Sequence, residues 1–260
     1  MILDELSQYA RKRVDEAKKR KSLDDIRSEA VESKGEHRFF KALNKENLRF
    51  ICEVKKASPS KGVISKDFPY LDIAKDYENA GADAISVLTE PKWFLGSDEI
   101  FKEIRNNVKV PMIRKDFTVD EYQIYEAKLM GADAVLLICA ILDTETIKSY
   151  LKICDELGID ALVETHNEEE VESAILAGAK IIGVNNRNLK DFSVDFSNAV
   201  GLREKIPGNI LFVCESGVKD EENVKEIVKM NANAALIGEA LMRSSDKKLM
   251  LKKFFEVAGR

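Results

Sequence analysis

AGADAISVL, residues 80–88, reads as a helix ending, a glycine turn and an apolar run, and the chain repeats the pattern. MGADAVLLI follows from Met130, AGAKIIGVN from Ala177 and MNANAALIG from Met230. Gly or Asn just past a helix is the expected C-cap, because these residues tolerate positive φ. Recurrence at about fifty residues is a repeat signal, but that interval is too long for one strand–helix unit. Similar apolar runs fill the gaps: FICEVKK from Phe50, VPMIRKDF (110–117), GIDALVETH (158–166) and NILFVCESG (209–217). Helical patterns such as YLDIAKDYENA, DEYQIYEAKLM, ETIKSYLKICDEL and EENVKEIVKM alternate with them. Near-continuous apolar strands between helices imply a parallel sheet buried on both faces. Eight such units imply an α/β fold of the closed (β/α)8 TIM-barrel type. An open doubly wound sheet is the rival, but no G-x-G-x-x-G follows the first strand.

Residues 1–47 stand outside this count. Leu3, Leu6, Ala10, Val14 and Ala17 recur at helical spacing, so the segment opens on an amphipathic helix, and HRFFKAL from His37 reads as a second. Residues 1–260 are therefore expected to form a single barrel domain, of which 1–47 is an N-terminal helical extension covering the barrel mouth or underside. The run Lys18-Lys19-Arg20-Lys21 complements a helix C-terminus and faces solvent.

With 45% hydrophobic and 33% charged residues, the composition is that of a soluble globular protein. A net charge of −5 gives a nucleic-acid partner no electrostatic support. No apolar run is long enough to span a bilayer. The opening MILDELSQYARKR lacks the basic-then-apolar order of a signal peptide, so a cytoplasmic location is expected. Cys52, Cys139, Cys154 and Cys214 form no C-x-x-C pair and read as core hydrophobes. With His37 and His166 the sole histidines, no zinc site is expected. No nucleotide fingerprint appears either, so neither metal nor cofactor is expected. The chemistry has to run on Lys, Glu, Asp and Arg.

In a barrel of this kind the active site forms at the C-terminal strand ends. Those ends carry Glu53 and Lys55; Ser86, Thr89 and Glu90; Arg114, Lys115 and Asp116; Glu164 and His166; Asn185, Asn186 and Arg187; Glu215 and Ser216; Gly238 and Glu239. The opposite ends are expected to be mostly small or apolar. A single charge could belong to an ordinary polar layer. Charges on six strands would be costly to bury unpaired, which argues for a converging site.

Glu215-Ser216-Gly217 closes the seventh strand before a helix from Asp220, and Ile237-Gly238 closes the eighth before EALMR. Glycines there let backbone N–H groups approach an anion, and in many barrels this corner holds a substrate phosphate. Lysines Lys55 and Lys115 near other cations can have pKa values lowered toward neutrality. A glutamate on an apolar strand, as in ALVE ending at Glu164, can have its value raised. Such a pair supports acid–base catalysis without histidine on a phosphorylated, sugar-like molecule.

The blocks ICEVKKASPSKG, SVLTEPKWFLG, MIRKDF, ADAVLLI, ALVETH, IIGVNNRNL, VCESGV and ALIGEALM resemble, in order and over essentially the whole chain, the signatures of the indole-3-glycerol-phosphate synthase family. The resemblance implies a carboxy-lyase of tryptophan biosynthesis that closes the ring of 1-(2-carboxyphenylamino)-1-deoxyribulose 5-phosphate. It implies that Lys115 is the general acid at the ketone oxygen. Glu164 takes and gives the proton of the later dehydration, a role that Lys55 can share. Glu53, Asn185, Arg187 and Ser216 match positions that orient the substrate and the lysines, and Glu215 matches another polar position in the same pocket. Lys55, Ser58, Gly217, Gly238 and Glu239 match the phosphate corner. Pro59, Trp93, Phe94, Phe117 and Leu136 are candidates for the ring pocket. Two departures stand out. Glu239 replaces the small hydroxyl residue of some relatives, and Trp93 stands where tyrosine or histidine is more usual.

A monomer acting on a small phosphorylated molecule is expected, with weak association with other tryptophan-pathway enzymes allowed. Ser58 to Gly62 reads as a mobile loop, with Lys61 closing over the substrate. The rival readings are a class I aldolase with a Schiff base on Lys115 or Lys55, the smaller phosphoribosylanthranilate isomerase barrel, and a non-catalytic barrel that binds a phosphate ligand.

Overall fold

The computed structural model describes residues 2–188 and 192–260. Leu189, the last residue of the NNRNL block, lies outside the described residues. Eight parallel strands close into a barrel in chain order: β1 (Arg49–Val54), β2 (Ala84–Leu88), β3 (Met112–Lys115), β4 (Ala134–Ile138), β5 (Asp160–Thr165), β6 (Ile181–Asn185), β7 (Leu211–Glu215) and β8 (Ala234–Ile237). Strand β1 pairs with both β2 and β8, which closes the ring. Helices α1 (Ile2–Arg20), α2 (Leu23–Ala30) and α3 (Arg38–Leu43) precede the barrel. Each strand is then followed by a helix: α4 (Tyr70–Ala80), α5 (Asp98–Arg105), α6 (Tyr122–Leu129), α7 (Thr144–Leu157), α8 (Glu168–Ala177), α9 (Ser197–Arg203) and α10 (Glu221–Lys229), with α11 (Glu239–Arg243) and α12 (Lys247–Val257) after β8. The fold is a (β/α)8 TIM barrel. No helix among the described residues is long and apolar enough to cross a membrane.

The repeated segments mark where the barrel is clamped at its N-terminal end. Asp83, before β2, accepts the N–H of Phe50 on β1 at 2.9 Å. Asp133 does the same for Met112 on β3 (2.9 Å), and Asn233 for Phe212 on β7 (2.9 Å). These N–H groups lie at or next to the strand starts, and a short polar side chain just before a neighbouring strand accepts each of them. This end is therefore not mostly small or apolar, as the sequence had suggested. Arg49 and Arg260 pair with Asp83, Arg38 and Arg105 with Asp133, and His37 with Asp160. Carboxylates placed to receive strand N–H groups need cations beside them once they are partly buried.

The apolar residues divide into two shells. Phe50, Cys52, Val54, Ile85 and Val87 face outward and pack under the helices. Ile51, Ile113, Leu136, Leu162, Leu211 and Leu236 fill the barrel interior, joined from below by Phe39 and Leu43 of α3. Helix α3 is thus the plug of the underside, while α1 sends Leu3 and Leu6 into the mouth. The extension covers both ends. Helix α2 went unread in the sequence because an eight-residue helix offers little periodicity; the Ser22 side chain caps it, accepting from the N–H of Asp25.

Phe39 has no exposed surface, so Phe39→Ala is expected to destabilise the barrel by about 3–5 kcal/mol in chemical denaturation. An unchanged unfolding midpoint would show that α3 is not part of the cooperative core.

Candidate active site

Alternation along β1 turns Glu53 inward while Cys52 and Val54 pack outward. Lys55 Nζ donates to Glu53 Oε1 at 2.5 Å, and Ser86 Oγ of β2 donates to Glu53 Oε2 at 3.2 Å. Burial would raise Glu53, yet Lys55 and Lys115 outweigh it and hold the carboxyl below its usual range. Gly238, at the end of β8, leaves this pair its room: a Cβ there would lie 2.5 Å from Glu53 Oε1 and 2.9 Å from Lys55 Nζ, so the two side chains would have to shift.

Lys115, at the end of β3, reaches across the mouth. Its Nζ donates to Glu164 Oε2 of β5 at 3.1 Å and to Glu215 Oε2 of β7 at 3.2 Å. Asn185 Nδ2 of β6 donates to Glu164 Oε1 at 3.2 Å, and Asn185 Oδ1 accepts the Arg187 N–H at 3.0 Å. Arg187 is held in turn by the Phe192 carbonyl, to which its Nη1 donates at 3.1 Å. Glu215 has room because β6 carries a glycine opposite: a Cβ on Gly183 would lie 2.1 Å from Glu215 Oε1. That oxygen is buried with no hydrogen-bond partner. Ser216 follows in a left-handed backbone conformation, φ 65°, the kind of local strain that collects at ligand sites.

These contacts reverse the electrostatics expected from the sequence. Burial alone would lower Lys115, but Glu215, Glu164 and Glu53 hold its ammonium well above the usual lysine range. Burial would likewise raise Glu164, but Lys115, then His166 and Asn185, hold it well below. The raised carboxyl is Glu215. Burial pushes it up to about 7, with Lys115 opposing and Glu164 adding to the rise. One lysine cannot fully satisfy two carboxylates, and Glu215 has no second donor.

A cavity of about 760 Å³ opens over this set. Its lining includes Glu53, Lys55, Lys115, Glu164, Asn185, Arg187, Glu215 and Ser216, the phosphate-corner residues Ser58, Gly217, Gly238 and Glu239, and the apolar Pro59, Phe94, Phe117 and Leu136. Trp93 is the exception and a correction. Buried Glu90 accepts the N–H groups of Lys92, Trp93 and Phe94 at 2.9, 2.7 and 2.9 Å, winding the loop tightly. Phe94 is thereby turned inward and Trp93 outward, edge-on to Tyr9 of α1 at 5.6 Å. Glu239 points its carboxylate at Arg243 Nε (3.0 Å).

Other strand-end polar residues serve the scaffold. Arg114 pairs with Asp98 and Glu126, and Asp116 takes a bidentate contact from Arg13 (3.0 and 2.6 Å) with Thr89 Oγ1 at 2.7 Å. Asn186 bonds Cys214 Sγ, the Ser216 carbonyl and the Ala199 N–H. Sequence reasoning missed Ile2, Leu3 and Leu6 of the extension, Lys219 and Arg243 as cavity-lining residues. The helical spacing of Leu3 and Leu6 was legible; which end of the barrel they would meet was not. The Glu239–Arg243 i,i+4 spacing was a further readable signal.

Enzymes of this fold work in such a cavity at the C-terminal face, and the chain is a barrel enzyme of that class. The family model described as Indole-3-glycerol phosphate synthase matches residues 3–254. An indole-3-glycerol phosphate synthase of Ruminiclostridium cellulolyticum is 55% identical over 255 residues, covering 97% of this chain and 98% of the relative. One of Endomicrobium trichonymphae is 52% identical over 248 residues, covering 95% and 96%. The chain belongs to the indole-3-glycerol phosphate synthase family. A solved 3-hexulose-6-phosphate synthase from Salmonella typhimurium superposes with a TM-score of 0.67 at 15% identity, over 81% of this chain and 98% of that one; it shares the barrel fold.

The raised Glu215 carboxyl has a thermodynamic signature. Its folded pKa of about 7 exceeds the ordinary glutamate value of 4.5, so the native state holds an extra proton between these values. Ionising it as pH rises costs stability. Glu215→Gln is therefore expected to gain stability relative to wild type between about pH 5 and pH 8, on the order of 2 kcal/mol. Denaturant titrations at the two pH values check this; a stability difference that does not change with pH contradicts it.

Proposed function

We propose that this cavity converts 1-(2-carboxyphenylamino)-1-deoxyribulose 5-phosphate to indole-3-glycerol phosphate, by Lys/Glu acid–base chemistry and without a cofactor. The observation that carries the reading is the Lys115 ammonium, held over the cavity by two carboxylates from different strands. The aromatic carbon that bears the carboxylate attacks the ketone carbon, and negative charge builds on the ketone oxygen. A fixed ammonium stabilises that charge as it develops. The forming alkoxide is a much stronger base than either carboxylate, so the Lys115 proton moves to it as the carbon–carbon bond closes. Loss of CO₂ then returns the C–C bonding electrons to the ring. In the final step a proton is removed and the new hydroxyl leaves as water. Glu164 serves as the acceptor and donor, with Lys55 near enough to share the role.

Arg187 and Asn185 orient the substrate and Glu164, while Glu53 and Ser216 hold Lys55 and the ligand. At the phosphate corner Gly217, Gly238 and Glu239 line the cavity together with Lys55 and Ser58. Glu239 keeps its own charge on Arg243, so its backbone can serve the phosphate. Pro59, Phe94, Phe117 and Leu136 receive the anthranilate ring. The same reading takes the enzyme to be a cytoplasmic monomer acting on a soluble substrate. A Schiff-base aldolase would need a neutral lysine amine, and the carboxylates around Lys115 favour the ammonium instead.

Lys115→Ala and Glu164→Gln are each expected to lower kcat by about 10²–10⁴-fold with the circular dichroism unchanged, followed by indole fluorescence on adding the substrate. Wild-type turnover in either variant would refute the assigned role. A borohydride-trapped, substrate-dependent adduct on Lys115 or Lys55 would favour the aldolase.

A further inference from the structure

The chemistry above leaves His166, a largely buried ionisable group beside Glu164, unused. His166 follows β5 directly, and its ring stands behind Glu164, outside the cavity lining. Nε2 lies 3.4 Å from Glu164 Oε1, within ion-pairing range but out of hydrogen-bond alignment, and it is buried without a hydrogen-bond partner. Nδ1 lies 3.1 Å from Glu170 Oε2. The ring is therefore flanked by a carboxylate at each nitrogen.

Its setting is rigid from three sides. The His166 N–H donates to Glu170 Oε2 at 2.8 Å, and Asn167 Nδ2 donates to Glu170 Oε1 at 2.9 Å. Asn167 also caps α8 by accepting the Glu170 N–H. From α9, Asn198 Nδ2 donates to the His166 carbonyl at 3.2 Å. Lys115 and Asn185 occupy the other sides of Glu164, and Cys139 Sγ rests on the Glu170 carbonyl at 3.5 Å.

A neutral imidazole carries one N–H and can serve only one of two flanking carboxylates; the imidazolium serves both. We infer that His166 is a positioning residue, an imidazolium clamped between Glu164 and Glu170 that keeps Glu164 ionised and aimed at Lys115. Burial opposes the charge on His166, but Glu164 and Glu170 outweigh it and push the ring up to about 10. The inference rests on the reading of Glu164 as the proton acceptor. It adds a group that touches neither substrate nor cavity, yet sets the protonation state of one that does.

The chain has two histidines, and His37 lies at the other end of the barrel beside Asp160. Imidazole NMR on the intact protein therefore resolves the question directly, with His37→Gln assigning the signals. His166 is expected to remain an imidazolium at about pH 8, beyond the ordinary histidine range. Glu170→Gln and Glu164→Gln should each lower its titration midpoint. A His166 that titrates at or below about 6.5, or one indifferent to both substitutions, overturns the inference.

The kinetic readout is a pH profile. His166→Gln removes a cation from Glu164, so the acid limb of kcat/KM should move up by roughly one pH unit, about tenfold in rate below the limb. A superimposable profile also overturns the inference, since a merely structural role would lower kcat without moving the limb. Should His166→Gln fail to fold, the NMR titration of Glu170→Gln carries the test: a His166 midpoint that does not fall in that variant overturns the inference. If the wild-type enzyme makes no indole product, the functional proposal fails, while the NMR titration still decides the state of His166.

Discussion

Lys115 Nζ stands 3.1 Å from Glu164 and 3.2 Å from Glu215, on three strands that share no ladder. No stretch of chain shorter than the closed sheet could bring these groups together, since they lie 49 and 100 residues apart. The cluster is expensive. An ammonium and carboxylates are held out of water, and Glu215 is left with an unpartnered oxygen. Around it the scaffold makes room by subtraction: Gly183 yields space to Glu215, and Gly238 to the Glu53–Lys55 pair. A site of this kind stores its cost in electrostatics, and the apolar interior below it supplies the stability to hold it in place.

The N-terminal extension belongs to that arrangement. Arg13, Lys18 and Arg27 pair with Asp116, Asp120 and Glu121, all in the loop that follows Lys115. Tyr9 meets Trp93 on the neighbouring loop. The helices before the barrel thus fasten the two loops that carry Phe94 and Phe117, whose rings lie 6.2 Å apart at the cavity wall. Meanwhile α3 fills the underside with Phe39 and Leu43. The segment that the repeat pattern does not cover closes both ends of the barrel.

Much of this was legible in the sequence because it depends on period. The GADA-type repeats gave the strands, the alternation of Ile51 to Lys55 gave the inward direction of Glu53, and the strand ends gave the residues that now line the cavity. What the chain could not reveal depends on which neighbour wins a charge. Lys115 reads as a lysine among cations, yet three carboxylates surround it, and so the direction of its pKa reverses. Trp93 and Phe94 are adjacent, and only the Glu90 clamp decides which one enters the pocket. The polar residues of the repeat itself were legible as letters, but their task of receiving N–H groups at the barrel underside is a property of the closed sheet.

The central claim is that Lys115 acts from a charged state maintained by its carboxylate neighbours. Nitrogen-15 NMR of the lysine side chains across a pH titration of the free enzyme tests it most directly. The account requires one ammonium signal, absent in Lys115→Ala, that survives past about pH 10, where ordinary lysines lose their proton. A Lys115 amine that is already neutral near pH 7 would contradict it, and would turn the site toward nucleophilic chemistry.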